Sequence, residues 1–217
     1  SSLIGNAGSF VLAGGSAVSA VLVRLLLLLA TNVDTVQDRI HREIDDFIGS
    51  ERQPTWEDRH FTPYTLATIW EAHRWNTLLP LGAPRRAFKD VVIGKHFVPK
   101  DTTIIANIWA VHKNPLLWNE PEKFHPARFL KEDGSMAWEK ADKLIPFSVG
   151  KRMCPAEIFA SVEIYIYLAR LMQKFVILPE EGVLFDAGIP YKHMLQPGRH
   201  KFRCMPRAPS LPCYHRR

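Results

Sequence analysis

The chain has 217 residues, a hydrophobic fraction of 47% and a formal net charge of +6, from 28 Lys+Arg against 22 Asp+Glu. That length suits one sizeable domain and at most two, and that apolar content supplies a packed core and excludes a disordered chain. The cationic excess suits solubility or docking to acidic partners and anionic lipid; with no basic stretch interleaved with aromatics, the sequence does not read as a nucleic-acid binder.

Cys154, Cys204 and Cys213 form no CxxC pair, and the nine histidines form no HExxH. A disulfide framework, a zinc ribbon and a zinc protease are therefore not expected, and the pattern suits a reducing compartment or a cytosol-facing surface. No secretory signal is evident, and the first residue is Ser1 rather than Met. The expectation is a chain that begins in mid-protein.

In chain order, residues 10–30, "FVLAGGSAVSAVLVRLLLLLA", are long and apolar enough for a membrane span. Arg24 lies inside this run, Gly14-Gly15-Ser16 interrupts it and no basic cluster flanks it, and a core helix reads the same way. Residues 31–50 predict an amphipathic helix carried by Val33, Val36, Ile40, Ile44 and Phe47 or Ile48, with Gly49 as its stop. A polar loop follows, then a helix over 65–77 closed off by Pro80 and Pro84. Residues 91–109 predict short strands cut by Gly94 and by Pro99-Lys100-Asp101, and 112–130 an irregular, proline- and aromatic-rich stretch. Residues 131–143 predict a polar loop. A helix is expected over 155–175 with Ile158, Val162, Tyr165, Ala169, Met172 and Phe175 on one stripe, then a hairpin and a loose tail over 206–217. The sequence contains no internal repeat and no clean linker.

Two stretches carry chemistry. In "PFSVGKRMCPAE" (146–157), Pro155 suits the first position of a helix, which makes Cys154 the N-cap. Free amides and the helix dipole there favour a negative sulfur, which can ligate iron or act as a nucleophile. Gly150 permits a tight turn, and Arg152 places a cation two residues from the sulfur, able to pair with a ligand carboxylate. A buried structural cysteine at a helix start explains the same residues, and a cysteine nucleophile needs a histidine base that no local signature supplies. The second stretch is "EAHR": Glu71 and Arg74, three apart on a helix, share a face and can pair. Most such pairs lie on a solvated surface and contribute little.

Taken in order, these pieces resemble the haem-thiolate monooxygenases of the cytochrome P-450 superfamily. The family's FxxGxRxCxG loop is matched by Phe147, Gly150, Arg152 and Cys154; its ExxR by Glu71 and Arg74; its PxRF by Pro126, Arg128 and Phe129. Residues 80–130 look like the animal microsomal branch, which handles drugs, steroids and fatty acids. The resemblance implies a mainly α fold with small β-sheets, here the C-terminal half of a single haem domain, with residues 1–30 as the long helix above the haem. It implies haem b as cofactor, Cys154 as the axial thiolate on its iron, Arg152 and Arg85 on the propionates, and Phe147 beside the sulfur. Glu71, Arg74 and Arg128 would form a structural cluster that fixes the haem loop. Apolar residues of 10–30, with Leu78 to Ala83 and Ile189 to Tyr191, would line a pocket for a hydrophobic substrate. NADPH would supply electrons indirectly, through a flavin reductase docking near Lys143 and Lys151, with cytochrome b5 as a further partner. The implied place is the cytosolic face of the endoplasmic reticulum membrane, held by an N-terminal anchor outside this chain.

The sequence departs from the family pattern in three ways. Where an acid and a threonine relay protons to bound oxygen, it has Ser16 and Ala17, and Ala17 has no group to donate. Ala156 replaces the loop's last glycine, which puts a methyl group where close approach to the haem is expected. The chain is also about half the family's length. Two further readings follow: a haem-thiolate enzyme that rearranges peroxides without that relay, and a non-catalytic fragment or relic.

Overall fold

The structure is a computed structural model that describes residues 2–181 and 201–207. Helix α1 (Ser2–Ala30) is long and apolar enough to cross a membrane. Its second half is instead packed inside the protein: Leu25 to Ala30 are buried, and the helix lies against α3 (Pro63–Trp75), α5 (Glu157–Lys174) and β5 (Phe175–Pro179). The first half is exposed as far as Ser16.

The segment expected to be one helix over 31–50 divides. A π-helical turn (Val33–Gln37) precedes α2 (Asp38–Phe47), whose Ile40 and Ile44 are fully buried. Of the two candidates for the last apolar position, Ile48 is buried and Phe47 is exposed. Gly49 stops the helix in a left-handed conformation (φ 72°), with its N–H returning to the Ile44 carbonyl.

Helix α3 begins two residues earlier than the expected 65 and ends at Trp75 rather than 77. The early start has a remote cause. Glu43, on α2, accepts the N–H groups of Tyr64 and Thr65 and the Thr65 hydroxyl at 2.7–2.8 Å, and so caps α3 from outside its own sequence. Burial pushes the Glu43 carboxyl up, and these three hydrogen bonds oppose the rise.

The strands are short and antiparallel. β1 (Arg85–Arg86) pairs with β4 (Thr103–Ile104), and β2 (Val91–Ile93) with β3 (His96–Val98) around Gly94 at φ 61°. The last residues expected to be strand form α4 (Ile108–His112), started by Asn107, whose side chain accepts the Ala110 N–H. The expected polar loop at 131–143 contains a bridge between Leu130 and Met136 and a 3-10 turn (Trp138–Lys143), because Met136 and Ala137 are buried.

α5 runs from Glu157 to Lys174, not from 155 to 175. Ala156 has φ −105° and ψ 19°, outside helical values, so the helix starts after it; Phe175 opens β5 instead. The expected stripe holds at Tyr165, Ala169 and Met172, which are fully buried, but Ile158 is 78% exposed. β5 pairs with β6 (Phe202–Pro206). Residues 206 and 207, expected to begin a loose tail, are tied down: Pro206 lies in β6, and the Arg207 guanidinium donates to Asp45 at 2.6 Å and to the Met172 carbonyl at 3.0 Å. Cys213, the rest of that tail and Ile189 to Tyr191 lie outside the described residues.

Gln37 joins these layers. It is fully buried; its amide donates to the carbonyls of Leu29 (3.1 Å) and Ile177 (2.9 Å), and its Oε1 accepts the Ile177 N–H (2.6 Å). The side chain thus satisfies the open edge of β5 where a further strand would otherwise pair. Gln37→Leu is expected to leave both Ile177 groups unpaired in the core and to lower unfolding free energy by about 2–4 kcal/mol, read from the urea midpoint; a loss under about 0.5 kcal/mol would contradict this role for Gln37.

Candidate functional site

Two constructions meet at one side of the molecule. The first is built on α3. Glu71 and Arg74 are fully buried, and the pairing is bidentate: Arg74 Nε donates to Glu71 Oε2 at 2.8 Å and an Arg74 Nη to Oε1 at 2.9 Å. Arg128 Nε, from the Pro126–Phe129 turn, donates to the same Oε1 at 3.0 Å, and the His125 N–H does so at 2.8 Å. The remaining guanidinium donors reach backbone carbonyls. Arg74 takes those of His112, Pro121 and Lys123, and Arg128 those of Asn119, Glu120 and Lys123. One carboxylate and two cations thereby hold an irregular stretch that has few hydrogen bonds of its own.

A residue that sequence reasoning missed carries this order onward. His112 is fully buried; its Nε2 accepts the Ile145 N–H at 3.0 Å, and its Nδ1 lies 2.8 Å from Thr77 Oγ1. Since Nε2 is an acceptor, the proton sits on Nδ1, which donates to Thr77. Burial, reinforced by the positive charges nearby, holds the imidazole down to about 3, so it stays neutral. His73, within the ExxR motif, was also passed over. Its ring meets Phe147 edge-on at 5.5 Å, and burial lowers it to about 4. No local pattern marks either residue, since their partners lie 33 to 74 positions away along the chain.

The second construction is the loop over 146–157. Ser148 and Gly150 are both left-handed (φ 66° and 77°), and Gly150–Arg152 forms a 3-10 turn. Two hydrogen bonds close the loop: Cys154 N–H to the Phe147 carbonyl at 2.8 Å and Met153 N–H to the Gly150 carbonyl at 3.0 Å. The expectation that Cys154 caps α5 is corrected: the cap position is Ala156, and the residue before proline is steered away from helical geometry. Ala156 has negative φ, so its methyl group brings no backbone strain at the position where glycine was expected.

Cys154 is half-buried and in no disulfide. Arg85, from β1, donates to the Arg152 carbonyl at 2.8 Å, which places two guanidinium-bearing residues on the rim of the cysteine loop. Val149, Met153, Ile158 and Phe159 expose large apolar side chains on the same loop and on the first turn of α5. Among the described residues no three His, Cys, Asp or Glu side chains gather to hold a metal ion. A single thiol amid apolar surface, flanked by cations, fits a flat apolar macrocycle with acidic edges that brings its own metal donors.

Ser16 and Ala17 stand apart on α1. Ser16 is exposed, and its hydroxyl donates to the Leu12 carbonyl at 2.9 Å. No hydrogen bond among the described residues links either of them to Cys154, Arg85 or Arg152. Of the expected pocket wall, Leu78 is half-buried and Leu79 and Leu81 are exposed.

A mainly helical chain with three two-stranded sheets among its described residues, a buried ExxR cluster and a looped cysteine now meets its relatives. The profile of the Cytochrome P450 family matches residues 2–200, and the chain belongs to that family. It is 38% identical over 176 residues to Cytochrome P450 2U1 of Homo sapiens, covering 81% of this chain and 32% of that protein. It is 36% identical over 182 residues to Cytochrome P450 2J1 of Oryctolagus cuniculus (84% and 36%), and 36% identical over 187 residues to Cytochrome P450 monooxygenase acuD of Aspergillus aculeatus (82% and 35%). The chain spans about a third of the length of these relatives.

Two outcomes test the α3 cluster. Glu71→Gln leaves two guanidinium groups without their carboxylate and is expected to lower unfolding free energy by about 3–5 kcal/mol in urea titration. Histidines held neutral in the fold but free to protonate when unfolded contribute stability above the ordinary histidine pKa, and that contribution is lost as pH falls below about 6.5. His112→Gln should therefore reduce the pH slope of stability near pH 5 by about one proton; an unchanged slope would contradict a neutral buried His112.

Proposed function

We propose that this chain is part of a haem-thiolate monooxygenase that inserts one atom of O2 into an apolar organic substrate. The observation that carries the reading is the single half-buried thiol of Cys154, set in a closed loop between apolar side chains and the Arg85–Arg152 pair. Cys154 Sγ would hold the haem iron. Arg85 and Arg152 would pair with the haem carboxylates. Phe147 would pack beside the sulfur and exclude water, its carbonyl holding the Cys154 amide. When bound, haem supplies the activation of oxygen and the redox chemistry. Glu71, Arg74 and Arg128 act by position: through His112 and Ile145 they fix where the cysteine loop begins.

The family match and the name of one relative, a monooxygenase, support the reaction class. Electrons would come from NADPH through a flavin reductase. Lys143 and Lys151, both exposed on the cysteine side, suit an acidic partner surface, and cytochrome b5 would use the same chemistry. The animal relatives favour the microsomal branch, hence the endoplasmic reticulum membrane with the haem domain on its cytosolic face.

One observation favours a second reading. Ser16 and Ala17 occupy the expected proton-relay positions; Ala17 carries no proton, and the Ser16 hydroxyl is engaged by its own helix. An enzyme that rearranges or consumes peroxide needs no such relay and no reductase. A non-catalytic fragment is the reading left if the chain takes up no haem.

The test is the carbon-monoxide difference spectrum of the reduced, haem-reconstituted chain. A strongly red-shifted Soret band is expected, and its loss in Cys154→Ala; an unchanged spectrum in that variant would remove Cys154 as ligand. Turnover with peroxide alone, against turnover that requires a reductase, then separates the two enzyme readings.

A further inference from the structure

Helix α3 has no cap within its own first turn. Of the N–H groups that a helix start leaves open, that of Thr62 reaches the Asp58 carbonyl at 3.0 Å, and Pro63 has none to place. Those of Tyr64 and Thr65 remain. The Thr62 side chain makes no capping hydrogen bond, and the first turn contains no acidic residue. Glu43 of α2 accepts both N–H groups at 2.8 Å, one on each carboxylate oxygen, and brings the negative charge that a helix start favours. Four residues back on α2, the Arg39 guanidinium lies over the Tyr64 ring, 4.0 Å from its centre. α2 thus grips the start of α3 twice, through a carboxylate on its backbone and a cation on its ring.

The far end of the same helix meets the cysteine loop. His73 lies edge-on against Phe147 at 5.5 Å, and Phe147 accepts the Cys154 N–H at 2.8 Å. Arg74 donates to the His112 carbonyl at 2.8 Å, and the His112 ring accepts the Ile145 N–H at 3.0 Å. Hydrogen bonds weaken steeply when their geometry is lost, so bonds at the start of a helix fix its place along its own axis. A small slide of α3 would carry His73 and Arg74 away from both contacts at once.

We propose that Glu43 is a positioning residue for the cysteine loop: from α2 it sets the axial place of α3, and α3 in turn holds the two contacts that place Phe147 and Ile145. The coupling does not rest on the haem-thiolate reading and needs no haem.

The experiment is alkylation of the full chain with iodoacetamide, with the rate at Cys154 and at Cys204 read separately by peptide mass spectrometry. Cys204, exposed on β6, is the internal reference. Glu43→Gln keeps the shape but sets an amide NH2 against one of the two N–H donors. It is expected to raise the Cys154 rate relative to Cys204 by about tenfold, within the range of N-cap losses. Arg39→Gln, at an exposed position, should raise it by about twofold. Ile40→Val weakens α2 through packing alone and should leave the ratio unchanged. An unchanged ratio in folded Glu43→Gln would overturn the assignment, and so would an equal rise in Ile40→Val. Should Glu43→Gln unfold, Arg39→Gln decides in the same way. None of these outcomes bears on haem ligation, which the carbon-monoxide spectrum tests by itself.

Discussion

A carboxylate with no access to water governs this structure. Glu71 is buried on α3, and an ionised group there is tolerable only if every lone pair is met. Two guanidinium groups and one backbone amide meet them. Each guanidinium carries five donors in a rigid fork, more than one carboxylate can accept, so the surplus must go to carbonyls nearby. Those carbonyls belong to residues 112–123, a proline-rich stretch that forms little regular structure of its own. Charge satisfaction and backbone satisfaction are thus one problem with one solution, and the stretch is ordered by side chains where other segments are ordered by helix or sheet.

From that cluster, order passes to the cysteine loop in two short steps. The His112 carbonyl accepts from Arg74, and the His112 ring accepts from Ile145, one residue before the loop. Phe147 then leans on His73 and accepts the Cys154 amide. Both histidines must stay neutral for this to work: a charged His112 would lose the acceptor that holds Ile145 and would stand beside Arg74. The loop's own contribution is conformational, two left-handed residues, Ser148 and Gly150, on either side of an extended Val149, with the Cys154 N–H returning to the Phe147 carbonyl. Its placement therefore depends on the rigid core behind it, and its shape depends on local backbone geometry.

What the sequence revealed follows from how far each cause reaches. Glu71 and Arg74 were legible as a pair because residues three apart on a helix are neighbours; Arg128 entered through the PxRF motif and the resemblance. The cores of α2 and α5 were legible from periodicity, and α3 from the prolines that close it, but their ends were not, since Glu43 caps α3 from 21 and 22 positions away and the geometry of Ala156 delays α5. The α5 stripe failed at Ile158, where periodicity continues but no neighbour is present to bury the face. His112 and Gln37 were invisible for the same reason. Each is a single polar residue whose partner is far along the chain, and neither composition nor spacing encodes that partner.

The proposed chemistry divides unevenly over this chain. The thiolate side needs a shaped loop, flanking cations and a rigid support, and all three come from residues 71–157, tied together by hydrogen bonds under about 3.3 Å within the described structure. The oxygen side needs a proton donor aimed at the reacting atom, and α1 offers Ser16, whose hydroxyl already bonds to Leu12, and Ala17, which has none. A hydroxyl that bonds to its own helix four residues back is a poor relay, because releasing its proton breaks a bond that no other group replaces. On the proposed reading, holding haem and activating oxygen would therefore be separable properties. Ligation would draw on a loop held by several hydrogen bonds, whereas proton delivery would rest on one exposed side chain. A chain built this way would keep the first property under changes that would end the second.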